Sequence, residues 1–215
     1  MNEIIFFLQV IGIVVFALGA LRLGKGALVT WVTIQALIAN LFVLKQINLF
    51  GFDVTASDAF IIGSLLGLNF LQEYHGEKEA KQATWVCFFF MFFFVLVSQL
   101  HLLYQPNSFD TTHASFEQIL LPAPRLLTAS MGVFFVVQQI DIRFFAYLKK
   151  SLPNLSFAFR TTIALIVSQF LDSFLFSFVG LYGLVASVID IAVVSLTIKL
   201  MVIFCVTPLL KLAKT

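Results

Sequence analysis

Apolar stretches long enough to cross a lipid bilayer dominate this chain. A membrane-spanning helix needs about 20 apolar residues, and seven segments approach that length: residues 3–21, 27–44, 56–72, 84–104, 126–147, 161–181 and 184–204. Because lipid offers the backbone no hydrogen-bond partners, such segments fold as helices. The sequence therefore predicts an all-α fold: a single integral membrane domain over residues 1–215, built as a polytopic transmembrane helical bundle.

The balance of apolar and charged residues excludes a soluble protein. Hydrophobic residues make up 60% of the chain and charged residues 11%, and the mean hydropathy is +1.02. A soluble domain carries about 25% charged residues, so this chain has too little polar surface to dissolve. The net charge is only +2, and no basic run is interleaved with aromatic residues. We expect a lipid bilayer around the protein and no nucleic-acid partner.

Two segments allow more than one interpretation. Residues 3–21 resemble a secretory signal, but they lack a basic start and a small-residue cleavage site before Arg22, so a retained helix is predicted. Residues 45–55, "KQINLFGFDVT", fit either a short outer connection or part of a bent helix.

Lysine and arginine residues collect on one side of the predicted bundle. That side holds Arg22, Lys25, Lys78, Lys81, Arg143, Lys149, Lys150, Arg160, Lys211 and Lys214. The other side holds only Lys45 and Arg125, and Lys199 lies within a span. Cytoplasmic loops of membrane proteins are enriched in these residues. The asymmetry predicts an N-terminus outside and a C-terminus in the cytoplasm, in the inner (cytoplasmic) membrane.

Enzyme and metal motifs are weak throughout the chain. Residues 19–25, "GALRLGK", match the first part of a phosphate-binding loop, but Gly26 stands where a magnesium-binding Ser or Thr is needed, and no strand precedes the motif. The three histidines have no metal-ligand spacing. Ser195 and Lys199 are four residues apart, but no oxyanion-hole element accompanies them. We predict no catalytic residues, no metal and no cofactor.

Polar residues in the sixth span form the most informative pattern. Ser168, Gln169 and Asp172 are three and four residues apart, which places them on one helix face, and Phe176 follows one turn later. Counted from Arg160, Asp172 lies about 18 Å along the helix, close to the bilayer midplane. A carboxylate at that depth costs roughly 2.5–3.5 kcal/mol on insertion scales. Such a residue indicates a functional site.

Further polar residues lie inside other spans. They are Asn69, Gln72 and Glu73 in the third, Gln138 and Asp141 in the fifth, and Asp190 and Lys199 in the seventh. Carboxylates, carboxamides and an amine from four spans predict one polar cavity. These groups suit the donor–acceptor edge of a heterocycle, and phenyl rings stack on its face. The predicted ligand is a small, planar, polar solute.

Individual residues in this set also have structural interpretations. Asp172 could join neighbouring helices by hydrogen bonds, and Lys199 could extend its ammonium group to the cytoplasmic interface. Glu73 and Asp141 could lie at headgroup level, and Asp190 could lie in the outer interface. The phenylalanine-rich fourth span, "CFFFMFFFVL", is expected to face lipid.

Three stretches resemble a known family, the queuosine precursor transporters, also called vitamin-uptake-transporter-like proteins. They are "NFLQEYHGEKEAKQA" (69–83), "RLLTASMGVFFVVQQID" (125–141) and "SQFLDSFLFSF" (168–178). The resemblance covers about residues 27–207 and leaves the first helix outside it. The positions that match the family's polar pattern are Asn69, Glu73, Arg125, Gln138, Asp141, Gln169, Asp172 and Lys199. Many relatives have Asp at the position of Asn69, so this site is one carboxylate poorer.

The resemblance implies import of a 7-deazaguanine such as preQ0, preQ1 or queuine for tRNA modification. It also implies a six-helix transporter core, here with one extra N-terminal helix, and a homodimer is one assembly that the sequence allows. The predicted substrate-binding set is Asn69, Glu73, Arg125, Gln138, Asp141, Ser168, Gln169, Asp172, Phe176 and Lys199. Asp172 is expected to accept hydrogen bonds from the exocyclic amine and ring N–H of the base, with Phe176 packed on its ring.

Three other functions remain as alternatives. The chain could carry another vitamin-like heterocycle, alone or as the substrate-capture subunit of a larger transporter. A membrane-embedded enzyme is disfavoured by the lack of a nucleophile–base pair or metal cluster. An assembly subunit is disfavoured by the cost of so many buried polar groups.

Overall fold

The computed structural model is a bundle of long helices with one short β-hairpin. It describes residues 1–42, 45–55, 57–121, 124–181 and 188–209. The helices are α1 (Asn2–Leu23), α2 (Lys25–Phe42), α3 (Asp58–His75), α4 (Glu77–Leu102), α5 (His113–Leu120), α6 (Pro124–Ser151), α7 (Phe157–Leu181) and α8 (Val188–Leu209). Strands β1 (Gln46–Leu49) and β2 (Phe52–Thr55) form the hairpin. The predicted all-α helical bundle is confirmed.

The long helices overlap all seven predicted spans. Five segments are long and apolar enough to cross a membrane: α1, α2, α4, Thr128–Ser151 within α6 and Phe157–Gly180 within α7. Helix α8 adds a shorter apolar segment, Ala192–Pro208. The protein is therefore a multi-pass membrane protein, and the crossing of α3 and α8 stays a prediction.

Helix α3 occupies the centre of the bundle. It contacts α1, α2, α4, α6, α7 and α8, and every residue from Ile62 to Gln72 is buried. A helix surrounded by protein does not need a lipid-compatible surface, and polar groups in membranes are almost always directed into the bundle interior. This central position explains how α3 can carry several polar side chains.

Two glycines allow α2 and α3 to pack closely. Gly63 and Gly67 stand four residues apart on α3, the spacing that brings membrane helices together. A Cβ atom at Gly67 would lie 2.8 Å from Cδ1 of Trp31 and 2.9 Å from Cγ2 of Val32. The indole Nε1 of Trp31 donates a hydrogen bond of 3.0 Å to the Gly63 carbonyl. The contact therefore depends on the absence of side chains at both glycines.

Gly67→Leu is expected to destabilise the bundle, because Trp31 and Val32 must move to admit the new side chain. Overpacking of this kind costs about 1–3 kcal/mol. Gly132→Leu on α6 is the matched control, since a Cβ there has no neighbour within 4 Å. Thermal unfolding of the purified protein in detergent measures both changes. Equal unfolding temperatures for the two variants would contradict the close α2–α3 contact.

Residues 45–55 form a short connection between α2 and α3 that is built as an antiparallel hairpin, so the bent-helix interpretation is wrong. The location of this connection on the outer side stays a prediction. Phe50 and Gly51 connect the strands with φ angles of 52° and 84°. Two successive positive φ angles define the type I′ turn, whose twist matches paired strands.

The hairpin is attached to the start of α1. The Asn2 side chain donates to the Asn48 carbonyl at 2.8 Å, and the Phe50 amide donates to Oε1 of Glu3 at 3.4 Å. Leu49 is fully buried, and the strands contact α1 and α8. The chain's N-terminus and the hairpin thus lie on the same side of the bundle, directly ahead of α3.

Helix α1 packs on the bundle through one stripe of its surface. The buried residues of this stripe are Phe6, Val10, Ile13, Val14, Ala17 and Ala20, at the spacing of a helix face. The phenylalanine-rich part of α4 behaves in the opposite way, because Phe89, Phe90, Phe92 and Phe93 are all exposed. This exposure agrees with the expected lipid-facing surface of the fourth span.

Candidate functional site

A charge cluster of Asp58, Asp172 and Lys199 joins three helices in the interior. The Lys199 ammonium group donates to Oδ2 of Asp172 at 2.5 Å and to the Ser173 hydroxyl at 3.2 Å. It lies 3.9 Å from Oδ1 of Asp58 at the first turn of α3. All three charged residues are more than nine-tenths buried. The cluster therefore holds α3, α7 and α8 together by charge in a site that excludes bulk water.

The position of Lys199 bears on two structural interpretations: that Lys199 extends to the cytoplasmic interface, and that Asp172 joins neighbouring helices. Its side chain is 3% exposed and is bound to Asp172, so extension to the cytoplasmic interface is wrong. Asp172 does join neighbouring helices through this lysine. Because Oδ2 of Asp172 already accepts a charged hydrogen bond, this carboxylate is a weaker candidate for contact with a base than the sequence suggested.

A central cluster of Asp141, Ser168 and Gln169 lies between α6 and α7, one turn from Asp172. The Ser168 hydroxyl donates to Oδ1 of Asp141 at 2.6 Å. Oδ2 of Asp141 and both polar atoms of the Gln169 amide are buried and have no hydrogen-bond partner among the residues that the structure describes. Asp141 is fully buried within the bundle. This cluster offers hydrogen-bonding groups on two facing helices.

Carboxamides on α3 and α6 extend the polar interior beyond the central cluster. Within the described part of the chain, both polar atoms of Asn69 are buried and without a partner, and so is Oε1 of Gln72. Nε2 of Gln72 donates to the Ile142 carbonyl at 2.7 Å, and Nε2 of Gln138 is 3.4 Å from the Ser64 hydroxyl. Gln72 thus holds α3 against α6 at Ile142, the residue next to Asp141. The polar atoms of Asn69 remain able to bind a ligand.

Glu73 at the end of α3 belongs to an ion triad. It pairs with Arg160 at 2.7 Å and with Lys149 at 3.1 Å. Lys149 also donates to the Glu73 backbone carbonyl at 3.0 Å, and the Arg160 side chain is 8% exposed. The triad connects α3, α6 and the start of α7. The charge of Glu73 is therefore already compensated by two cations. In this respect Glu73 differs from Asp141, whose described partner is a neutral hydroxyl.

Phe176 lies apart from the clusters. The Phe176 ring is directed along α7 towards Gly180, where a Cβ would lie 3.0 Å from its Cε2 atom. The side chains of Arg125 and Asp190 lie outside the part of the chain that the structure describes. The structure thus places Ser168, Gln169 and Asp141 together, and it places Asp172 and Lys199 one turn away.

Sequence reasoning missed Asp58 as a member of the site. The residue falls two positions after the expected start of the third span, where an acidic residue at a helix start is common. The sequence feature that could have indicated a role for Asp58 is that the residue lies inside the predicted span 56–72. Its neighbours, Lys199 and Ser195 of α8, come from the other end of the chain.

The unpartnered polar atoms give the interior its chemical character. Buried side-chain polar groups in folded proteins nearly always have a partner, and each one without a partner costs about 1–3 kcal/mol. In the described residues most such atoms lie on α3, α6 and α7, among them those of Asn69, Gln72, Asp141 and Gln169, and Gln35 of α2 adds one more. A polar solute bound among these helices would supply the missing partners.

A helical bundle that crosses the membrane several times and buries unused hydrogen-bonding groups at its centre has the construction of a solute transporter. The comparisons with known proteins agree. The chain belongs to the family described as "Putative vitamin uptake transporter", whose model matches residues 55–213. The protein is thus a membrane transporter of a small molecule, and the resemblance found in the sequence is confirmed.

One curated relative is similar over most of the chain. The "Probable queuosine precursor transporter" of Bacillus subtilis (strain 168) is 27% identical over 184 residues, which cover 85% of this chain and 80% of the relative. No solved structure matches the chain significantly. The family match begins at residue 55, so α1 and α2 lie outside it.

Proposed function

We propose that this transporter imports a 7-deazaguanine, such as preQ0, preQ1 or queuine, for tRNA modification. The name of the Bacillus subtilis relative supports this class of substrate. The observation that carries the proposal is the central cluster, where Oδ2 of Asp141 and the whole Gln169 amide are buried and unpartnered. These groups match a solute that presents several donors and acceptors along one edge.

The hydrogen-bonding edge of a guanine-like base suits these groups in detail. Its ring N–H and exocyclic amine are neighbouring donors, which a carboxylate oxygen accepts, and its carbonyl oxygen accepts from a carboxamide N–H. In the proposal Asp141 accepts from the base, Ser168 holds the carboxylate in place, and Gln169 and Asn69 bind the remaining polar atoms. All of these residues belong to one copy of the chain, so a homodimer, which stays a prediction, is not needed to complete the site.

The contacts favour Asp141 over Asp172 as the acceptor for the base. Asp172 is bound by the Lys199 ammonium group at 2.5 Å, and Glu73 is bound by Arg160 and Lys149. Among the described residues, Asp141 has only the neutral Ser168 hydroxyl as its partner. Among these three carboxylates, Asp141 therefore retains the greatest capacity to bind the donors of a substrate.

Uptake into cells that cannot make queuosine precursors tests the proposal. Cells that express this chain should accumulate at least one of labelled preQ0, preQ1 and queuine, and queuosine should appear in their tRNA. Cells with the empty vector provide the control. Uptake of another vitamin-like heterocycle, with none of the three 7-deazaguanines, would favour the alternative transport function instead.

We also propose that the N-terminus is outside and the C-terminus is in the cytoplasm of the inner membrane. The asymmetry of Lys and Arg residues supports this orientation, and the attachment of the hairpin to the start of α1 agrees with it. A reporter fused after Thr215 should therefore be cytoplasmic, and one inserted near Ser108 should be external. Both reporters on the same side would contradict the seven-span arrangement.

A further inference from the structure

The charge cluster contains one more negative than positive charge. Asp58 and Asp172 each bring a carboxylate, and Lys199 brings the only described ammonium group near them. Each residue is less than 10% exposed. Unbalanced charge in a membrane interior is costly, and intramembrane carboxylates frequently carry protons in transporters. The cluster therefore has reason to bind one further positive charge.

Asp58 is the carboxylate with the weaker compensation. Lys199 forms a hydrogen bond to Asp172 but lies 3.9 Å from Asp58, beyond hydrogen-bonding distance. The Ser195 hydroxyl lies near Asp58, and the N-terminal amides of α3 add a partial positive charge. Neither of these supplies a full charge. A proton on Asp58 would neutralise the cluster and leave the Lys199–Asp172 pair intact.

A proton fits this position better than a metal cation does. The Lys199 ammonium group already occupies the cationic position between the two carboxylates, so a sodium ion at Asp58 would experience repulsion at short range. A proton forms a neutral carboxyl group and needs no coordination shell. The geometry therefore selects the smallest cation.

We propose that Asp58 is the proton-binding residue of a proton-coupled transport cycle. The proposal rests on the import function proposed above. A proton from the outer aqueous phase adds to the Asp58 carboxylate and forms a neutral carboxyl group. The neutral cluster then permits the change of accessibility across the membrane, and the proton leaves to the cytoplasm, which restores the carboxylate. Protonation also decides whether Lys199 binds Asp172 alone or is shared with Asp58.

Infrared spectroscopy of the purified protein tests proton binding without any substrate. As the pH falls, the pH-difference spectrum should gain a band from a protonated buried carboxyl group. This band should disappear in Asp58→Asn and persist in Asp110→Asn, which removes an exposed carboxylate of the loop before α5. A spectrum in which Asp58→Asn leaves every carboxyl band unchanged would overturn the proposal.

Transport in proteoliposomes tests the coupling with labelled preQ0 as the probe. In the wild type, a pH gradient with an alkaline interior should drive accumulation, and labelled solute should exchange against internal unlabelled preQ0. In Asp58→Asn the accumulation driven by the pH gradient should be lost relative to exchange, and Asp58→Glu should restore part of it. Accumulation driven by a sodium gradient, or retained in Asp58→Asn, would overturn the coupling.

The two measurements separate this proposal from the proposed substrate. If the wild type shows the Asp58-dependent carboxyl band but exchanges none of preQ0, preQ1 and queuine, the proton site stands and the 7-deazaguanine assignment fails. If exchange occurs but the band does not depend on Asp58, the substrate stands and the proton site fails.

Discussion

Lys199→Met is expected to remove most of the folded protein from the membrane. The substitution leaves Asp58 and Asp172 together in the interior without a cation. Removal of one partner from a buried ion pair costs about 3–5 kcal/mol, because the remaining charge stays uncompensated. Such a loss lowers the ratio of folded to unfolded protein roughly a hundredfold or more. Abundance in membranes and thermal unfolding in detergent measure the effect.

The double variant Lys199→Met with Asp172→Asn separates lost charge balance from lost packing. It removes one positive and one negative charge and restores the net charge of the cluster, so part of the folded protein should return, since a neutral replacement of a buried pair is often tolerated. The return is only partial because Asp58 still lacks Lys199 as its neighbour. Lys81→Met is the control, because Lys81 pairs with Glu77 at the surface, where its side chain is 43% exposed. Surface pairs contribute about 0–1 kcal/mol. A double variant no more abundant than the single variant would show that the methionine itself is the cause.

The positions of the long helices could be predicted because lipid imposes a simple requirement. Each span must be apolar and about 20 residues long, and this requirement can be read from the sequence one segment at a time. The hairpin could not be predicted in this way. Residues 46–55 contain five apolar residues among ten, and so short a segment fits a strand or a helix equally. Pairing with the opposite strand, and contacts with α1 and α8, select the hairpin.

The sequence allowed the residue types of the candidate site to be predicted. It did not show which of these side chains contact one another. The spacing of Gln138 with Asp141, and of Gln169 with Asp172, places each pair on one helix face, and all four side chains are buried. Which carboxylate meets which cation depends on how the helices are arranged. Lys199 is 27 residues from Asp172 and much further from Asp58 in the chain, and no periodicity within one helix shows that the three meet.

Asp141→Asn is expected to abolish most uptake while the protein remains folded. The asparagine keeps the size of the side chain and one oxygen for the Ser168 hydroxyl, which lies 2.6 Å from Asp141. It replaces the unpartnered Oδ2 by an amide that donates, opposite donors of the base. A hydrogen bond to a charged group contributes about 1.5–3 kcal/mol, so the affinity should fall roughly ten- to a hundredfold. Initial rates of labelled preQ0, preQ1 and queuine uptake measure the change.

Asp110→Asn and Ser168→Ala give this prediction its controls. Asp110 is exposed in the loop before α5, so the same exchange of a carboxylate for a carboxamide there should leave the initial rate near that of the wild type. Ser168→Ala removes the hydroxyl that orients Asp141 but keeps its charge, so uptake should decrease less than in Asp141→Asn. Wild-type uptake in Asp141→Asn would place the substrate elsewhere, since a base that depends on this carboxylate cannot tolerate a donor in its place. A collapse of abundance in Asp141→Asn would instead make Asp141 a residue that holds α6 and α7 together through Ser168.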